Sequence, residues 1–142
     1  MSFGIHWDTI YVHGKAYRLF SYPLQQYLEQ DKNAPVLFTF EPHPYTATWE
    51  IEDNKLFLTD FKGGSMVSSD GKAFAGYREY FMQDLFPNQD KVFASWYTGT
   101  LCIGTGWKKD NASVHDSLLP QYEVYIEIRQ GLVVNVSDIQ EL

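Results

Sequence analysis

The sequence has a single cysteine, Cys102, among its 142 residues, so no disulfide can form within the chain. It also lacks any run of about 18 apolar residues, the length that a membrane-spanning helix needs. Residues 1–8 have neither the basic start nor the apolar stretch of a secretory signal. These features predict a cytoplasmic protein that does not enter a membrane. Because Cys102 stands in the apolar run 100–103, we expect its thiol to be buried and structural.

Basic residues are scarce as well, with 11 Lys and Arg against 18 Asp and Glu, which gives a net charge of −7. A protein that binds nucleic acid usually presents a stripe of Lys and Arg to the phosphates. The only adjacent basic pair in this chain is Lys108-Lys109. The sequence therefore predicts no binding to nucleic acid, and an acidic surface that would favour a basic partner.

Patterns typical of catalytic or metal sites are missing too. The four histidines are scattered without metal-ligand spacing, at His6, His13, His43 and His115. Gly64 followed by Gly71-Lys72 superficially resembles a phosphate-binding loop, but the glycines are too far apart and Ala73 replaces the required Ser or Thr. We therefore predict a protein that is not an enzyme, with no catalytic residue, metal or cofactor.

What the sequence does have is apolar and aromatic residues in the proportions of one folded domain. Its length fits a single domain over residues 1–142. Hydrophobic residues make up 44% of the chain, and the aromatic share of 17% is high. Abundant aromatic residues favour broad strands that pack face to face. Trp49 and Trp96 are accordingly expected to be at least partly buried.

Short β-rich segments separated by turn residues recur along the chain, which predicts β-hairpins. The predicted pairs are 9–12 with 16–20 across His13-Gly14-Lys15, 46–52 with 55–61 across Asp53-Asn54, and 122–128 with 132–136 across Gln130-Gly131. Further strands are predicted at 36–40, 92–97 and 100–103. We expect the Gly- and Ser-rich stretch 63–76 and the aperiodic stretch 107–120 to be loops.

Two segments have the apolar spacing of short helices. The first is 22–30, with Ser21 as its expected cap, and the second carries Tyr77, Tyr80, Phe81 and Leu85 before Pro87-Asn88 stops it. Together these elements predict an α+β fold. We expect a mainly antiparallel sheet of about eight strands, curved or folded into a sandwich, with the two short helices packed on it.

Carboxylates recur on the predicted strands. Glu50 and Glu52 lie two residues apart and therefore on one face, and Glu123 and Glu127 share the outer side of another strand. Two acids at such spacing can hydrolyse glycosides only if one of them is desolvated in a cleft. The alternation with Trp49 instead favours a solvated sheet face. An enzyme or a small-molecule-binding domain with a cleft beside the sheet is the alternative, with candidates Glu50, Glu123, His43 and His115.

Three groups of residues carry a resemblance to a known family. They are Thr48-Trp49-Glu50-Ile51 with 53–58, then 85–87 with 92–101, and Tyr122-Glu123 with Ile128, Gly131 and Val133. In these segments the chain resembles a family of small, mostly uncharacterised bacterial proteins, some of which accompany polymorphic or contact-dependent toxins as immunity proteins. The resemblance covers residues 45–136 in pieces. The chain departs from the family at 42–44 and in the loop 108–120, so functions tied to those stretches are not implied.

The resemblance implies a cytoplasmic immunity protein that neutralises a cognate toxin domain of contact-dependent growth inhibition, such as a nuclease, by binding it. A compact acidic domain without catalytic residues fits that role. The predicted partner-binding residues are Glu50, Glu52, Asp53, Glu123, Tyr125 and Glu127. These acids would form one patch if the strands that carry them are neighbours, and the patch would steer a basic partner.

Overall fold

The computed structural model describes residues 8–31, 34, 37, 44–67, 74–107 and 120–138. These residues form nine strands and two short helices. The strands are β1 (Asp8–Val12), β2 (Lys15–Leu19), β3 (Tyr45–Glu52), β4 (Lys55–Val67), β5 (Phe74–Phe81), β6 (Val92–Phe93), β7 (Gly99–Trp107), β8 (Pro120–Arg129) and β9 (Leu132–Asp138). The helices are α1 (Pro23–Gln30) and α2 (Met82–Leu85). Except for Leu37, the predicted strand 36–40 lies outside the described residues, as do 108–119 of the predicted loop and His6, His43 and His115.

Seven of the strands close into a barrel in the order β3-β1-β2-β7-β8-β9-β4, because β4 pairs in turn with β3. The pairs around the barrel are antiparallel except β1 with β3, which run parallel with Ile10 opposite Trp49. The predicted β-rich α+β class is therefore confirmed, and the curved, mainly antiparallel sheet closes into a barrel rather than folding into a sandwich. Closure satisfies strand edges that an open sheet would leave unpaired.

All three predicted hairpins are present, and each turns through two residues with positive φ. Such turns match the twist of the strands that they connect, and they favour Gly, Asn and Asp. The φ values are 54° and 79° at His13-Gly14, 53° and 61° at Asp53-Asn54, and 50° and 83° at Gln130-Gly131. These local signals were therefore sufficient to locate the hairpins.

One end of the barrel is closed by α1 and an aromatic cluster. Leu24 of α1 is fully buried in the core. The indole Nε1 of Trp96 donates a hydrogen bond of 2.9 Å to the Pro23 carbonyl. The ring of Tyr27 lies 4.9 Å from that of Phe86 and 5.0 Å from that of Trp96. Trp49 is fully buried inside the barrel and Trp96 is half-buried, as predicted. The opposite end of the barrel has no such helix within the described residues.

The start of α1 differs from the prediction. Tyr22, not Ser21, occupies the cap position, and no side chain caps the helix. The hydroxyl of Ser21 donates instead to the carbonyl of Thr100 and accepts from the amide of Cys102, both at 2.9 Å. Ser21 therefore links the chain before α1 to strand β7. The spacing of residues around Ser21 in the sequence could not predict this contact.

The stretch predicted as the loop 63–76 is mostly strand, because β4 continues to Val67 and β5 begins at Phe74. The glycines in β4 leave room for rings. A Cβ on Gly63 would lie 2.9 Å from the ring of Phe61, and one on Gly64 would lie 2.7 Å from the ring of Tyr77. The loop prediction was therefore wrong for 63–67 and 74–76, and the glycines of β4 serve close packing rather than turning of the chain. Residues 68–73 of the predicted loop lie outside the described residues.

The second predicted helix is also corrected. Residues 74–81 form strand β5, which pairs with β4, and only Met82–Leu85 is helical. The spacing of Tyr77, Tyr80 and Phe81 fits either structure over so short a segment. The segment forms a strand rather than a helix because it pairs with the extended β4. In this strand Tyr77 is exposed and Tyr80 is buried.

Three smaller predictions also need correction. The strand predicted at 92–97 is only Val92–Phe93, and the strand predicted at 100–103 is longer, because β7 continues through the glycines at 104 and 106 to Trp107. The register of β7 with β8 shifts at those glycines, so the strand is irregular there but does not end. Cys102 is half-buried, not buried as expected, because it points to the outer face of β7.

Candidate functional site

The open end of the barrel is formed by turns and strand ends that the topology brings together. Since β1 and β3 are parallel, the turns His13-Gly14 and Asp53-Asn54 that follow them lie at the same end. The second half of β7 reaches this end too, because β7 runs antiparallel to β2. Among these elements lies a cavity of about 890 Å³. We call this cavity and its lining residues the barrel mouth.

The walls of the barrel mouth are apolar. Alternation along each strand turns every second side chain into the barrel, so neighbouring strands contribute matching inward residues. The apolar lining consists of Val12, Tyr17, Ile51, Ile103, Val124, Ile126, Val133 and Val136. The polar and turn residues of the lining are His13, Gly14, Glu50, Glu52, Asp53 and Asn54. Except for half-buried Glu50, these latter residues are exposed, so they form a rim above the apolar walls.

Strands β4 and β9 pair over a very short length, which leaves the barrel open at this end. The two strands share one residue pair, Lys55 with Leu132, and the amide of Val133 donates to the Asn54 carbonyl at 2.9 Å. Because the strands are antiparallel, β9 then runs on past the start of β4. In the described part of the chain, no strand pairs with that edge of β9 after Val133. Val133 and Val136 line the barrel mouth, and beyond Val133 strand β9 pairs with β8 alone among the described residues.

Lysine 91 partly neutralises the acidic side of the rim. Its ammonium lies 3.4 Å from Glu50 and forms a closer hydrogen-bonded ion pair with Glu52. The hydrogen bond to Glu52, assisted by the charge of Glu50, raises the pKa of Lys91. The same ammonium stands 4.6 Å from the centre of the Phe57 ring. Glu50 and Glu52 therefore belong to a mixed surface of charges and rings on the outside of the barrel, not to a purely acidic face.

Asp53 differs from these two glutamates. It is the first residue of the β3–β4 turn, it is exposed, and it lines the barrel mouth. Among the described residues, no basic side chain forms an ion pair with it. Asp53 therefore places a carboxyl group that Lys91 does not pair at the edge of an apolar cavity.

The predicted partner-binding residues fall into two separate groups. Those at the β3 end are Glu50, Glu52 and Asp53, and those on β8 are Glu123, Tyr125 and Glu127. Strands β3 and β8 are not neighbours, because β9 and β4 separate them on one side of the barrel and β1, β2 and β7 on the other. The condition for a single acidic patch is therefore not met. Of Glu123 only the backbone is described.

Sequence reasoning located the rim but not the walls. The turn Asp53-Asn54 and the glutamates before it were singled out, whereas Val12, Ile103 and Val133 were not. Ile103 stands between Cys102 and Gly104, and Val133 between Leu132 and Val134, so no alternation with polar neighbours marked these two as inward-facing. What the sequence did not reveal is that strands so far apart in the chain surround one space.

A buried carboxyl lies deeper in the barrel. Asp8 is fully buried at the start of β1, where its two oxygens accept hydrogen bonds from the Ala47 amide at 3.1 Å and from the Trp49 indole at 3.0 Å. Desolvation raises the pKa of Asp8 to about 7, although these two hydrogen bonds oppose the rise. Asp8 begins the strand that Val12 ends at the mouth, so it belongs to the core. Asp8 stands two residues before Ile10, whose side chain faces inward. Alternation along the strand could therefore have predicted that Asp8 also faces inward.

Two features are absent from the described residues. No group of three or more His, Cys, Asp or Glu side chains is placed to hold a metal ion within this part of the chain. No helix in it is long and apolar enough to cross a membrane. Comparison of the chain with protein-family models, curated proteins and solved structures finds no match.

Proposed function

We propose that this protein binds a small molecule with a large apolar part in the barrel mouth. The observation that supports the proposal is a cavity of about 890 Å³ with eight apolar residues in its lining. Small-molecule sites typically enclose about 300 to 1,000 Å³, and barrel mouths are a common place for them. Burial of a ligand against such walls is favourable in proportion to the apolar area that leaves water.

The arrangement supports binding rather than catalysis. Apart from Tyr17 in the wall, the titratable residues of the lining are His13, Glu50, Glu52 and Asp53, and they stand on the rim. General acid–base catalysis by a carboxyl usually needs one that is desolvated beside the reacting atoms. The desolvated carboxyl of this barrel, Asp8, is enclosed in the core instead. We therefore assign the rim to recognition of the ligand and the walls to its burial.

Titration with a neutral fluorescent probe such as N-phenyl-1-naphthylamine tests the proposal. We expect saturable binding with enhanced emission by the wild-type protein. Val124→Trp places a large ring in the mouth and should weaken binding by about tenfold or more. Tyr125→Trp is the matched control, because the next residue of β8 points outward, and it should bind as the wild type does.

Val133→Trp provides a second variant from the neighbouring strand β9, in case Val124→Trp does not fold. Thermal unfolding of each variant checks that its barrel is intact. Absence of saturable binding by the wild type would overturn the proposal. So would unchanged binding by a folded Val124→Trp or Val133→Trp variant.

A second candidate function is the immunity role that the family resemblance implies, in which the chain neutralises a cognate toxin domain by binding it. The observation that favours it is the unpaired edge of β9 in the described residues, where Val134 and Val136 are 47% and 53% exposed. A partner can add a strand to such an edge. Tyr125 and Glu127 lie beside it, opposite Ser137 and Asn135 on β9.

This second proposal requires a cognate toxin, encoded next to this protein, that forms a stable complex with it. We expect Glu127→Lys and Val134→Pro each to weaken the complex with the toxin and the protection against it. Glu50→Lys with Glu52→Lys tests the other predicted group on β3. Full protection by all of these variants would exclude both surfaces, and absence of a neighbouring toxin would argue against the immunity role itself.

A further inference from the structure

The barrel mouth has an uneven distribution of charge. Among the described residues, its lining includes Glu50, Glu52 and Asp53 but no Lys or Arg. Lys91 engages Glu50 and Glu52 from outside the lining, which leaves Asp53 without an ion pair in the described part. The chain as a whole carries a net charge of −7. The entrance to the cavity is therefore electronegative on the side of the β3–β4 turn.

A positive charge also stands beside the entrance, on β2, which β1 separates from β3 in the barrel. The ammonium of Lys15 lies 5.5 Å from the centre of the Tyr17 ring, and Tyr17 lines the cavity. Lys15 follows the turn His13-Gly14, whereas Asp53 belongs to the turn after β3. A cationic group on a bound ligand would thus be attracted by Asp53, and an anionic group by Lys15. The sign of the ligand's charge decides which of the two residues it favours.

From this arrangement we infer that the ligand of the barrel mouth is a cationic amphiphile, with an apolar tail against the walls and an amine beside Asp53. The inference rests on the proposed binding function and specifies its ligand class. An ammonium group donates up to three hydrogen bonds, and Asp53 and Asn54 present acceptors on the rim. A carboxylate of the same length would face Asp53 with a like charge, although Lys15 would attract it.

A matched series of ligands separates the contribution of the head group from that of the tail. Decylamine, decanol and decanoic acid have the same chain and differ in the charge of the head at neutral pH. Each is used below its aggregation concentration to displace N-phenyl-1-naphthylamine from the wild-type protein. We expect the amine to compete best, the alcohol next and the acid least. The advantage of amine over alcohol should be about threefold, as expected for an exposed charge pair, and should shrink as salt is added.

Asp53→Asn tests the residue that we assign to this preference. Asn tolerates positive φ in a turn, so the backbone of the hairpin should persist. The variant should bind the neutral probe as the wild type does, while the ratio of amine to alcohol affinity falls to about one. Glu29→Gln is the charge-matched control, because it removes one negative charge from α1 at the opposite end of the barrel. This control should keep the amine preference.

The outcomes distinguish the two proposals. Failure of the neutral probe to bind would overturn the binding function and, with it, this inference. Normal binding of the probe with equal affinity for amine and alcohol would overturn the inference alone. A preference for decanoic acid would do the same and would make Lys15 the dominant charge. Retention of the amine preference by Asp53→Asn would remove Asp53 from the site.

Discussion

The carboxylate of Asp8 accepts a hydrogen bond of 3.0 Å from the indole of Trp49, and both residues are fully buried. The bond joins the first strand of the barrel to its parallel neighbour β3. The other oxygen of Asp8 accepts from the amide of Ala47 on the same strand. Asp8 therefore links β1 to two points of β3, while its burial opposes ionisation.

We predict that Asp8 makes the protein less stable as the pH rises from about 4 to 7. The pKa of Asp8 is raised from 3.8 to about 7 in the folded protein, so in this range the folded state holds a proton that the unfolded chain has lost. The contribution is fully present below pH 4 and is lost as the pH rises through 7. Each pKa unit corresponds to about 1.4 kcal/mol, so the decrease is about 4 kcal/mol. Urea unfolding across this range should show it, and Asp8→Asn should abolish this part of the pH dependence.

Trp49→Phe should raise the pKa of Asp8 further. The indole donor stabilises the charged carboxylate, and Phe removes that donor while it keeps an aromatic ring in the core. Titration of the Asp8 carboxyl carbon by NMR measures the shift. Trp96→Phe is the matched control, since the indole of Trp96 donates to the Pro23 carbonyl and not to Asp8. An unchanged pKa in Trp49→Phe would show that this hydrogen bond does not influence Asp8.

The sequence predicted the local parts of this fold better than the way in which they close. The hairpins around Asp53-Asn54 and Gln130-Gly131 follow from turn residues and alternation within about twenty positions. The parallel pairing of β1 with β3 has no comparable signal, because it joins segments that are separated by α1 and 31–44. The barrel mouth depends on that closure. Its rim was therefore visible in the sequence, and its walls were not.

Two glycines in turns should respond differently to substitution by Ala. Gly14 and Gly131 have φ values of 79° and 83°, so Ala is strained at either position. A Cβ on Gly14 meets nothing within 4 Å, whereas a Cβ on Gly131 would lie 2.8 Å from the backbone oxygen of Ala94. We expect Gly14→Ala to destabilise by about 1 kcal/mol and Gly131→Ala by at least about 2 kcal/mol more. Chemical denaturation of the pair measures the difference, and equal losses would contradict the predicted contact.

Ser21→Ala should destabilise the protein by about 1 to 3 kcal/mol, because it leaves the Cys102 amide without its acceptor. The effect should appear in β7 rather than in α1. Hydrogen exchange should become faster at the Cys102 amide and stay unchanged at the amides of α1. Ser95→Ala, at an exposed serine, is the control. Faster exchange in the first turn of α1 alone would restore Ser21 to the role of a helix cap.

The contact between Ser21 and Cys102 spans 81 positions of the chain, so it can form only late in the synthesis of the protein. While a ribosome makes this protein, β1 and β2 emerge long before β7 exists to pair with β2. The pairing of β4 with β9 at Lys55 and Leu132 cannot form until β9 has been translated. Contacts of such long range form slowly, and unpaired strand edges favour aggregation meanwhile. We therefore expect nascent chains to bind chaperones until β9 has left the exit tunnel, and to acquire protease resistance in a single late step.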